Sequence, residues 1–334
     1  MVRTQDLSRP VVVGLQTLAV AAAYFAAGRL GLLRQLVVEG AVFTPIWPPT
    51  GIALAGLLIF GLRCWPGITL GALLIVMSIT KFGADLLGNL IGGTAAPICS
   101  YLMLRKVGFR TDLSRLRDGL ALVFLGAFTG MLISATTGVC LLVATGKLAA
   151  DDFWTVWPAW WVGDAMGVLI VTPLLLVLHG ARWPPHFSRW KEALGVALIA
   201  CVFVPLATLS SVSLMFLVYP LLIWVALRFQ LAGSMLCALF ASVMATIAAT
   251  DEIGPFAGLN HVQVMFKLQA FNGSMALTAL LLSAVIVEQH NTRRSVERAC
   301  QELAEVLEHL TAGETPPGRP PRPEQSRGGP HGLE

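Results

Sequence analysis

Apolar runs of about 20 residues recur along almost the whole chain, and they constrain its fold more than any other feature. A run of that length crosses the ~30 Å hydrocarbon core of a bilayer as an α-helix, because each helical residue rises about 1.5 Å. The pattern predicts about ten spans, or about eight if the short segments near the N-terminus do not cross. The predicted segments are 11–30, 51–63, 65–80, 85–104, 118–144, 157–179, 192–209, 212–227, 230–250 and 263–287.

The composition agrees with a chain dissolved in lipid. Of its 334 residues, 56% are hydrophobic and 13% are charged, whereas soluble domains carry ~25% charged residues. This composition excludes an ordinary soluble enzyme and a disordered chain. The sequence also lacks the dense basic patch on a soluble fold that nucleic-acid binding requires. The six cysteines contain no CxxC pair, so we expect neither a disulfide framework nor a metal site. We therefore predict an all-α fold, a polytopic transmembrane helix bundle.

The charges of the loops alternate along the chain. Because Lys and Arg collect in cytoplasmic loops, this alternation predicts cytoplasmic N- and C-termini. The basic loops are 105–118, 180–191, the turn at Arg228 and the segment after 288, and the acidic loops between them are 145–156 and 250–262. The first hundred residues fit less well, since Arg29, Arg34 and Lys81 would fall on the outer side.

The character of the chain changes after residue 288. Apolar residues there recur at alternating spacings of three and four on a helix rich in Glu and Arg: Val296, Ala299, Leu303, Val306 and Leu310. Both a short coiled coil and a solvated extension of the last span are compatible with this stripe. We expect a short cytoplasmic amphipathic helix over 288–311 and, because it is rich in Pro and Gly, a disordered tail over 312–334.

Polar side chains inside the apolar runs are the candidate functional residues, because each costs a few kcal/mol in lipid unless it is paired or solvated. They include Asp85 and Asn89 four residues apart, Asp164, Arg228, and the pair Gln269 and Asn272. Two interpretations remain open for them. One is a structural ion pair such as Asp164 with Arg228, and the other is recognition of a ligand or a proton.

The segment TPIWPPTG, residues 44–51, interrupts the helical pattern with three prolines. Pro49 can open the following helix, and a helix start at membrane depth presents a positive dipole end that attracts an anion or a carboxylate. A rigid turn anchored by Trp47 at the membrane interface is the alternative. The tryptophans near residue 157 similarly favour an aromatic belt, with an aromatic ligand cage as the alternative.

Together these segments resemble the type-one MASE family of bacterial membrane-associated sensor domains over residues 10–290. The similar motifs are TPIWPPTGIAL (44–54) with WPG (65–67), GN (88–89), WWVGDAMG (160–167) with TPLL (172–175), WVALRF (224–229) with GPF (254–256), and LQAF (268–271). The resemblance implies a sensory module of the bacterial inner membrane. In relatives it precedes a histidine kinase or a diguanylate cyclase, and the residues after 290 are too few for either catalytic domain. We therefore expect no enzymatic activity and no cofactor.

The predicted function is the reception of an extracytoplasmic or intramembrane signal, which the last helix passes to a kinase or cyclase partner or to a second copy. The predicted domains are a cytoplasmic N-terminus (1–10), a transmembrane sensor domain (11–287), the signalling helix and the tail. The predicted sensing residues are Trp47, Pro48, Pro49, Asn89, Trp161, Asp164 and Arg228, and the predicted transmission residues are Val296, Leu303, Val306 and Leu310. A permease for a small solute and a bundle that only anchors the C-terminal helix are the alternatives.

Overall fold

The structure, a computed structural model, describes residues 9–38, 41–79, 84–180 and 190–311. The described residues form an all-α bundle, which confirms the predicted fold class. Its helices are α1 (Arg9–Gly31), α2 (Pro48–Phe60), α3 (Trp65–Ile79), α4 (Ala84–Lys106), α5 (Leu116–Ala121), α6 (Gly130–Ala144), α7 (Phe153–Gly180), α8 (Trp190–Leu209), α9 (Val218–Thr250) and α10 (His261–Thr311). A π-helical stretch, Leu122–Thr129, joins α5 to α6. Two short antiparallel strands, β1 (Leu36–Val38) and β2 (Ala41–Phe43), precede α2 with Leu36 opposite Phe43.

Seven helical segments of the described chain are long and apolar enough to cross a membrane. They are Pro10–Gly31, Leu62–Ile79, Leu116–Ala144, Ala150–Gly180, Trp190–Leu209, Met215–Thr250 and His261–Glu308. Helix α2 is apolar but has only 13 residues. Large apolar side chains such as Leu198, Val202 and Leu206 of α8 are exposed, as lipid-facing residues are. The predicted membrane bundle is thus confirmed, while the predicted number of spans stays a prediction.

Helix α9 reverses its direction at Gln230, whose backbone angles are not helical (φ 54°, ψ −145°). A Cβ atom on Gly233 would lie 3.0 Å from Cγ1 of Val225, although residues eight apart in a straight helix are about 12 Å apart. Contacts with α10 agree, because Tyr219 pairs with Ser274 and Ser234 pairs with Ser283. The two halves of α9 therefore form a helical hairpin, with separate arms where the sequence predicts the segments 212–227 and 230–250.

Polar contacts between connecting segments show which helix ends lie together. At one end, Arg34 pairs with Asp251 at 2.5 Å. At the other end, the Glu288 carboxylate accepts a hydrogen bond of 3.0 Å from the amide of Leu116. The predicted basic loop 105–118 and the start of the basic segment after 288 therefore lie together, at the opposite end of the bundle from the predicted acidic loop 250–262. Arg34 is a basic residue at the end where the sequence predicts acidic loops, and the carboxylate of Asp251 compensates its charge.

Helices α1 and α3 run side by side at very short range. A Cβ on Gly67 would overlap the carbonyl oxygen of Thr17, and a Cβ on Gly71 would lie 2.7 Å from Cβ of Tyr24. Glycines four residues apart fall on one helix face and let two backbones approach closely in a membrane. This packing holds Tyr24 of α1 toward the interior, where it is buried.

The chain divides into two compact units, residues 1–288 and 289–334. In the second unit, the described side chains, 289–308, are all exposed. Helix α10 contributes residues to both units. The predicted domain bounds stay predictions, and the predicted disordered tail, 312–334, lies outside the described residues.

Candidate functional site

The segment that precedes α2 inserts into the middle of the bundle and docks on α7. The backbone N–H of Trp47 donates a hydrogen bond of 2.9 Å to the carbonyl oxygen of Gly163. Gly163 lies about 15 Å along a helix that starts at Phe153. Helix α2 therefore starts at membrane depth, which agrees with one of the two interpretations of the Pro-rich motif. Non-helical backbone is tolerated at that depth because protein covers it.

Three glycines make this docking sterically feasible. A Cβ on Gly163 would lie 2.6 Å from the carbonyl oxygen of Thr44. A Cβ on Gly167 would overlap the carbonyl oxygen of Trp47, and one on Gly51 would overlap that of Gly167. Because each obstacle is a backbone atom, no rotation of a side chain could relieve the overlap. The glycines of the motifs at 44–54 and 160–167 are thus explained by direct contact between the two motifs.

Two threonine hydroxyl groups fasten α2 to α7. The Thr50 hydroxyl lies 2.8 Å from the carbonyl oxygens of both Asp164 and Trp47 and donates toward them. The Thr172 hydroxyl donates a hydrogen bond of 3.0 Å to the carbonyl oxygen of Gly51. All five residues are buried or part-buried, so these bonds form away from water and fix the position of α2 along α7.

Asp164 is the buried carboxyl group at this docking point, with a relative exposure of 2%. The side chains of Ser134 on α6 and Trp160 on α7 are within hydrogen-bonding reach of its carboxyl group. Its Oδ2 atom has no hydrogen-bond partner. In the part of the chain that the structure describes, no Lys or Arg forms an ion pair with it. An uncompensated buried carboxylate is costly, so this atom is the strongest candidate for contact with a ligand.

Tyr24 of α1 and Trp47 complete the surroundings of Asp164. The Tyr24 hydroxyl is within hydrogen-bonding reach of the Trp47 side chain and within electrostatic range of the Asp164 carboxyl group. Tyr24 is only 3% exposed. Residues of α1, α6 and α7 and of the segment before α2 therefore meet at one polar site inside an apolar bundle.

The structure brings some of the predicted sensing residues together. Trp47 lies where α2 meets α7, close to Asp164, whereas Pro48 and Pro49 face Gly31 and Gly28 of α1. Asn89 is half-buried on α4, one helical turn before Gly93, which lies beside the Tyr24 hydroxyl. These placements do not test the predicted roles, which stay predictions.

Trp161 serves a different contact. Its indole N–H donates a hydrogen bond of 2.8 Å to the carbonyl oxygen of Phe128, and its ring stacks on Trp157 with centroids 5.7 Å apart. Trp161 thus fastens the π-helical stretch to α7. Its neighbour Trp154 is largely exposed, as expected of an aromatic belt.

Arg228 is not at this site. It pairs with Glu192 of α8, beside the turn at Gln230. Its side chain is 47% exposed. The ion pair between Asp164 and Arg228 that the sequence suggested is therefore wrong, because Asp164 lies in the middle of α7 and Arg228 lies at an end of the bundle.

Sequence reasoning missed Tyr24, Thr50 and Ser134. Each is a hydroxyl-bearing residue inside an apolar run, and Ser and Thr in particular give little signal in membrane helices because their hydroxyl groups can bond to the backbone of their own helix. The nearest available signal was the position of Thr50 between the prolines and Gly51. Gln269 and Asn272, the other polar residues singled out in the sequence, lie on α10. Both have buried side-chain amide atoms without a hydrogen-bond partner.

The described residues contain no group of three or more His, Cys, Asp or Glu side chains that could hold a metal ion. A family model for MASE1 matches residues 16–290, which include every residue of the Asp164 site. The chain belongs to the MASE1 family. This confirms the predicted resemblance, and MASE1 is a membrane sensor domain, so the chain is a membrane protein of signal transduction.

The MASE1 chain is also similar to a protein named "Probable diguanylate cyclase DgcE" of Escherichia coli (strain K12). The two are 27% identical over 208 residues, which cover 58% of this chain and 18% of that protein. The matched part of this chain therefore spans less than a fifth of the relative's length. No solved structure matches the chain.

Proposed function

We propose that this MASE1 chain receives a signal at the Asp164 site and passes it through α10 to a cytoplasmic signalling partner. The observation that carries the proposal is the buried Asp164 carboxyl group, whose Oδ2 atom lacks a partner where several helices meet. Ionisable side chains inside membrane bundles are expensive, and they mark sites of function more often than other residues do.

The docked segment before α2 supports a change in packing when a signal arrives. It is held on α7 by the bond from Trp47 N–H to Gly163 and by the Thr50 hydroxyl on the Asp164 carbonyl oxygen. A ligand that engages the Asp164 side chain therefore acts on the residue whose backbone holds α2. A signal shifts such an equilibrium only if it binds two packings with different affinity, and these few polar bonds are where the packings would differ.

Contacts between α5 and the part of α10 around residues 284–288 support a route from the Asp164 site to the C-terminal part of α10. The Glu288 carboxylate accepts a hydrogen bond from the first amide of α5, and a Cβ on Gly119 would lie 3.5 Å from Ala284. Helix α5 continues through the π-helical stretch that Trp161 holds on α7. Farther along α10, Val296, Leu303 and Val306 are exposed and available to a partner. The side chain of Leu310 lies outside the described part.

We further propose that the partner is a histidine kinase, a diguanylate cyclase or a second copy of the chain. The relative named as a probable diguanylate cyclase supports a cyclase. We also propose that the chain lies in a bacterial inner membrane with both termini in the cytoplasm, which the alternation of basic and acidic loops along the sequence supports. It is proposed to catalyse no reaction itself, in keeping with a family of sensor domains.

The experiment that tests this function compares Asp164→Asn with Asp151→Asn in the native host and measures the cellular level of cyclic di-GMP and the phosphorylation of associated kinases. Asp151 is the matched control, because it is an exposed acid outside the site. We expect Asp164→Asn to change an output and Asp151→Asn to leave every output at the wild-type level. Removal of residues 288–334 is expected to abolish signalling while the bundle still folds. Unchanged outputs with Asp164→Asn at normal membrane abundance would reject the sensing role.

A permease is the second candidate function, and one observation favours it. Transporters build their sites from helices that are broken within the membrane, and α2 starts beside Gly163, within the membrane-spanning part of α7. Uptake of a solute into proteoliposomes that depends on Asp164 would support a permease. Absence of uptake together with an Asp164-dependent output would support the sensor.

A further inference from the structure

The π-helical stretch Leu122–Thr129 leaves one backbone carbonyl group without its usual helical partner. At the end of the stretch, the amide of Gly130 bonds to the carbonyl oxygens of Leu125 and Ala127. It bypasses the oxygen of Gly126, to which it would bond in a regular α-helix. A single change of hydrogen-bond pattern therefore separates the end of this stretch from the α-helical form.

The hydroxyl group of Ser100 on α4 satisfies the bypassed carbonyl group. It donates a hydrogen bond of 2.8 Å to the Gly126 oxygen, and both residues are buried. Gly130 makes room for this hydroxyl, because a Cβ at that position would overlap it. Without Ser100, the π form would leave a buried carbonyl group unpaired, whereas the α form would pair it with the Gly130 amide. Ser100 thus stabilises the π form selectively.

The stretch lies between the Asp164 site and the contact with α10. On its C-terminal side, Ser134 of α6 is within hydrogen-bonding reach of the Asp164 carboxyl group, and Trp161 fastens the end of the stretch to α7. On its N-terminal side, α5 packs on α10, since a Cβ on Gly119 would lie 3.5 Å from Cβ of Ala284. Because the α6 side is held at two points, a change of pattern in the stretch moves α5.

We propose that the stretch 122–129 switches between the π-helical and the α-helical pattern and that Ser100 holds it in the π form. A π-helical turn holds about one residue more than an α-helical turn, because each of its hydrogen bonds spans five residues instead of four. The change to the α form therefore turns α5 by about 100° and brings Leu120 to the place of Gly119 against α10. This inference rests on the proposed function and names the two-state element through which the Asp164 site would act on α10.

Disulfide crosslinking of the purified full chain in nanodiscs measures the rotation of α5, in a background without the six native cysteines. Gly119→Cys with Ala284→Cys reports the π form, because a Cβ separation of 3.5 Å suits a disulfide. Leu120→Cys with Ala284→Cys reports the α form. We expect Ser100→Ala to lower the yield of the first pair relative to the second by about fivefold or more, with a gain at the second pair, because it leaves the π form with an unpaired carbonyl group. An unchanged ratio would overturn the proposal, and so would a loss at the first pair without a gain at the second.

Ser242→Ala is the matched control for Ser100→Ala. Ser242 is also completely buried, and its hydroxyl group has no hydrogen-bond partner among the described residues. We expect this control to leave the ratio of the two crosslinks at the wild-type value. Equal changes of the ratio in both serine variants would overturn the proposal.

Removal of one residue from the stretch locks the switch. Phe124 is an exposed residue of the stretch, and its deletion leaves too few residues for the π form while α5 keeps its observed place. We expect the pair of Gly119→Cys with Ala284→Cys to crosslink in the deletion variant, and Ser100→Ala to have no further effect there. Failure of this pair to crosslink would show that the stretch holds no extra residue, and a remaining effect of Ser100→Ala would show that it acts by another route; either result would overturn the proposal.

The failure of this inference and the failure of the proposed function are distinguishable. If Ser100→Ala leaves the crosslink ratio unchanged although Asp164→Asn alters a cellular output, the switch is wrong and the sensing role stands. If Ser100→Ala changes the ratio as expected although Asp164→Asn leaves every output unchanged, the switch exists and the sensing role is wrong.

Discussion

Glycine and threonine residues, more than charged ones, determine how the Asp164 site is built. The glycines at 51, 163 and 167 remove steric bulk where two backbones touch, and Thr50 and Thr172 supply the hydroxyl groups that join them. In lipid, association of helices depends on such close packing and on interhelical hydrogen bonds, because the hydrophobic effect does not drive it. A single added methyl group is therefore a sharp probe of the site.

At the residue scale, Gly167→Ala is expected to destabilise the bundle. Its Cβ would overlap the carbonyl oxygen of Trp47, and overpacking of a well-packed interior costs about 1–3 kcal/mol. The measurement is thermal unfolding in detergent, with Gly14→Ala as the control because its Cβ meets nothing within 4 Å. A wild-type melting temperature for Gly167→Ala would show that α2 does not dock on α7 in this way.

At the scale of elements, two departures from regular helix carry the organisation of the bundle. One is the segment before α2, which lets a helix start at membrane depth. The other is the turn at Gln230, which divides α9 into a hairpin. Both place polar backbone inside the bundle, and neighbouring helices cover it.

Cysteine crosslinking tests the hairpin of α9. Ser234 and Ser283 have hydroxyl oxygens 2.6 Å apart, so Ser234→Cys with Ser283→Cys is expected to form a disulfide in a background without the six native cysteines. A straight α9 that starts at the contact of Tyr219 with Ser274 would carry residue 234 about 9 Å too far along α10. Ser234→Cys with Leu281→Cys is the control pair, because Leu281 faces Gly119. Crosslinking of the control pair alone would contradict the hairpin.

The contact between Glu288 and α5 gives a second prediction at this scale. Arg115, at the start of α5, makes no side-chain cap, and the Glu288 carboxylate takes the place of one. Loss of such a cap costs ~1 kcal/mol, or about a fivefold change in an equilibrium. Glu288→Ala is therefore expected to speed hydrogen exchange of the Leu116 amide about fivefold, as measured by mass spectrometry. Glu297→Ala is the control, because it removes an exposed ion pair with Arg293 and should leave the exchange rate of the Leu116 amide unchanged. Equal effects of the two variants on that rate would argue against a specific contact of Glu288.

At the scale of the whole molecule, the two ends of the bundle are closed by different polar contacts. The ion pair of Arg34 with Asp251 lies at one end, and the contact of Glu288 with Leu116 lies at the other. The exposed pair contributes only ~0–1 kcal/mol. Its importance is that it joins the segment after α1 to the loop after α9, so the early and late parts of the chain share one end.

Thiol labelling tests the orientation proposed for the whole molecule. In a background without native cysteines, a membrane-impermeant maleimide applied to cells with a permeabilised outer membrane is expected to label Glu252→Cys. Lys191→Cys should react only after the inner membrane is broken. Both positions are exposed in the structure, so a lack of labelling would not reflect burial. Labelling of the Lys191→Cys variant before lysis would invert the proposed topology.

The sequence alone determined that this protein is an all-α membrane bundle of the MASE1 family. That conclusion could be reached because the preference for lipid is a local property, which any window of about 20 residues carries by itself. The family motifs also contained Trp47 and Asp164, the two residues of the site that the sequence singled out. The apolar runs also predicted two separate segments, 212–227 and 230–250, where the structure has the two arms of α9.

Only the tertiary structure decided which side chains are partners. Thr50 meets Asp164 across 114 positions of sequence, Tyr24 reaches the same site from another helix, and Arg228 pairs with Glu192 and not with Asp164. These pairings depend on how far each helix slides and rotates against its neighbours, and backbone contacts at glycines set those distances. Hydropathy cannot predict them, because all faces of a membrane helix are apolar and any neighbour could bury them equally well.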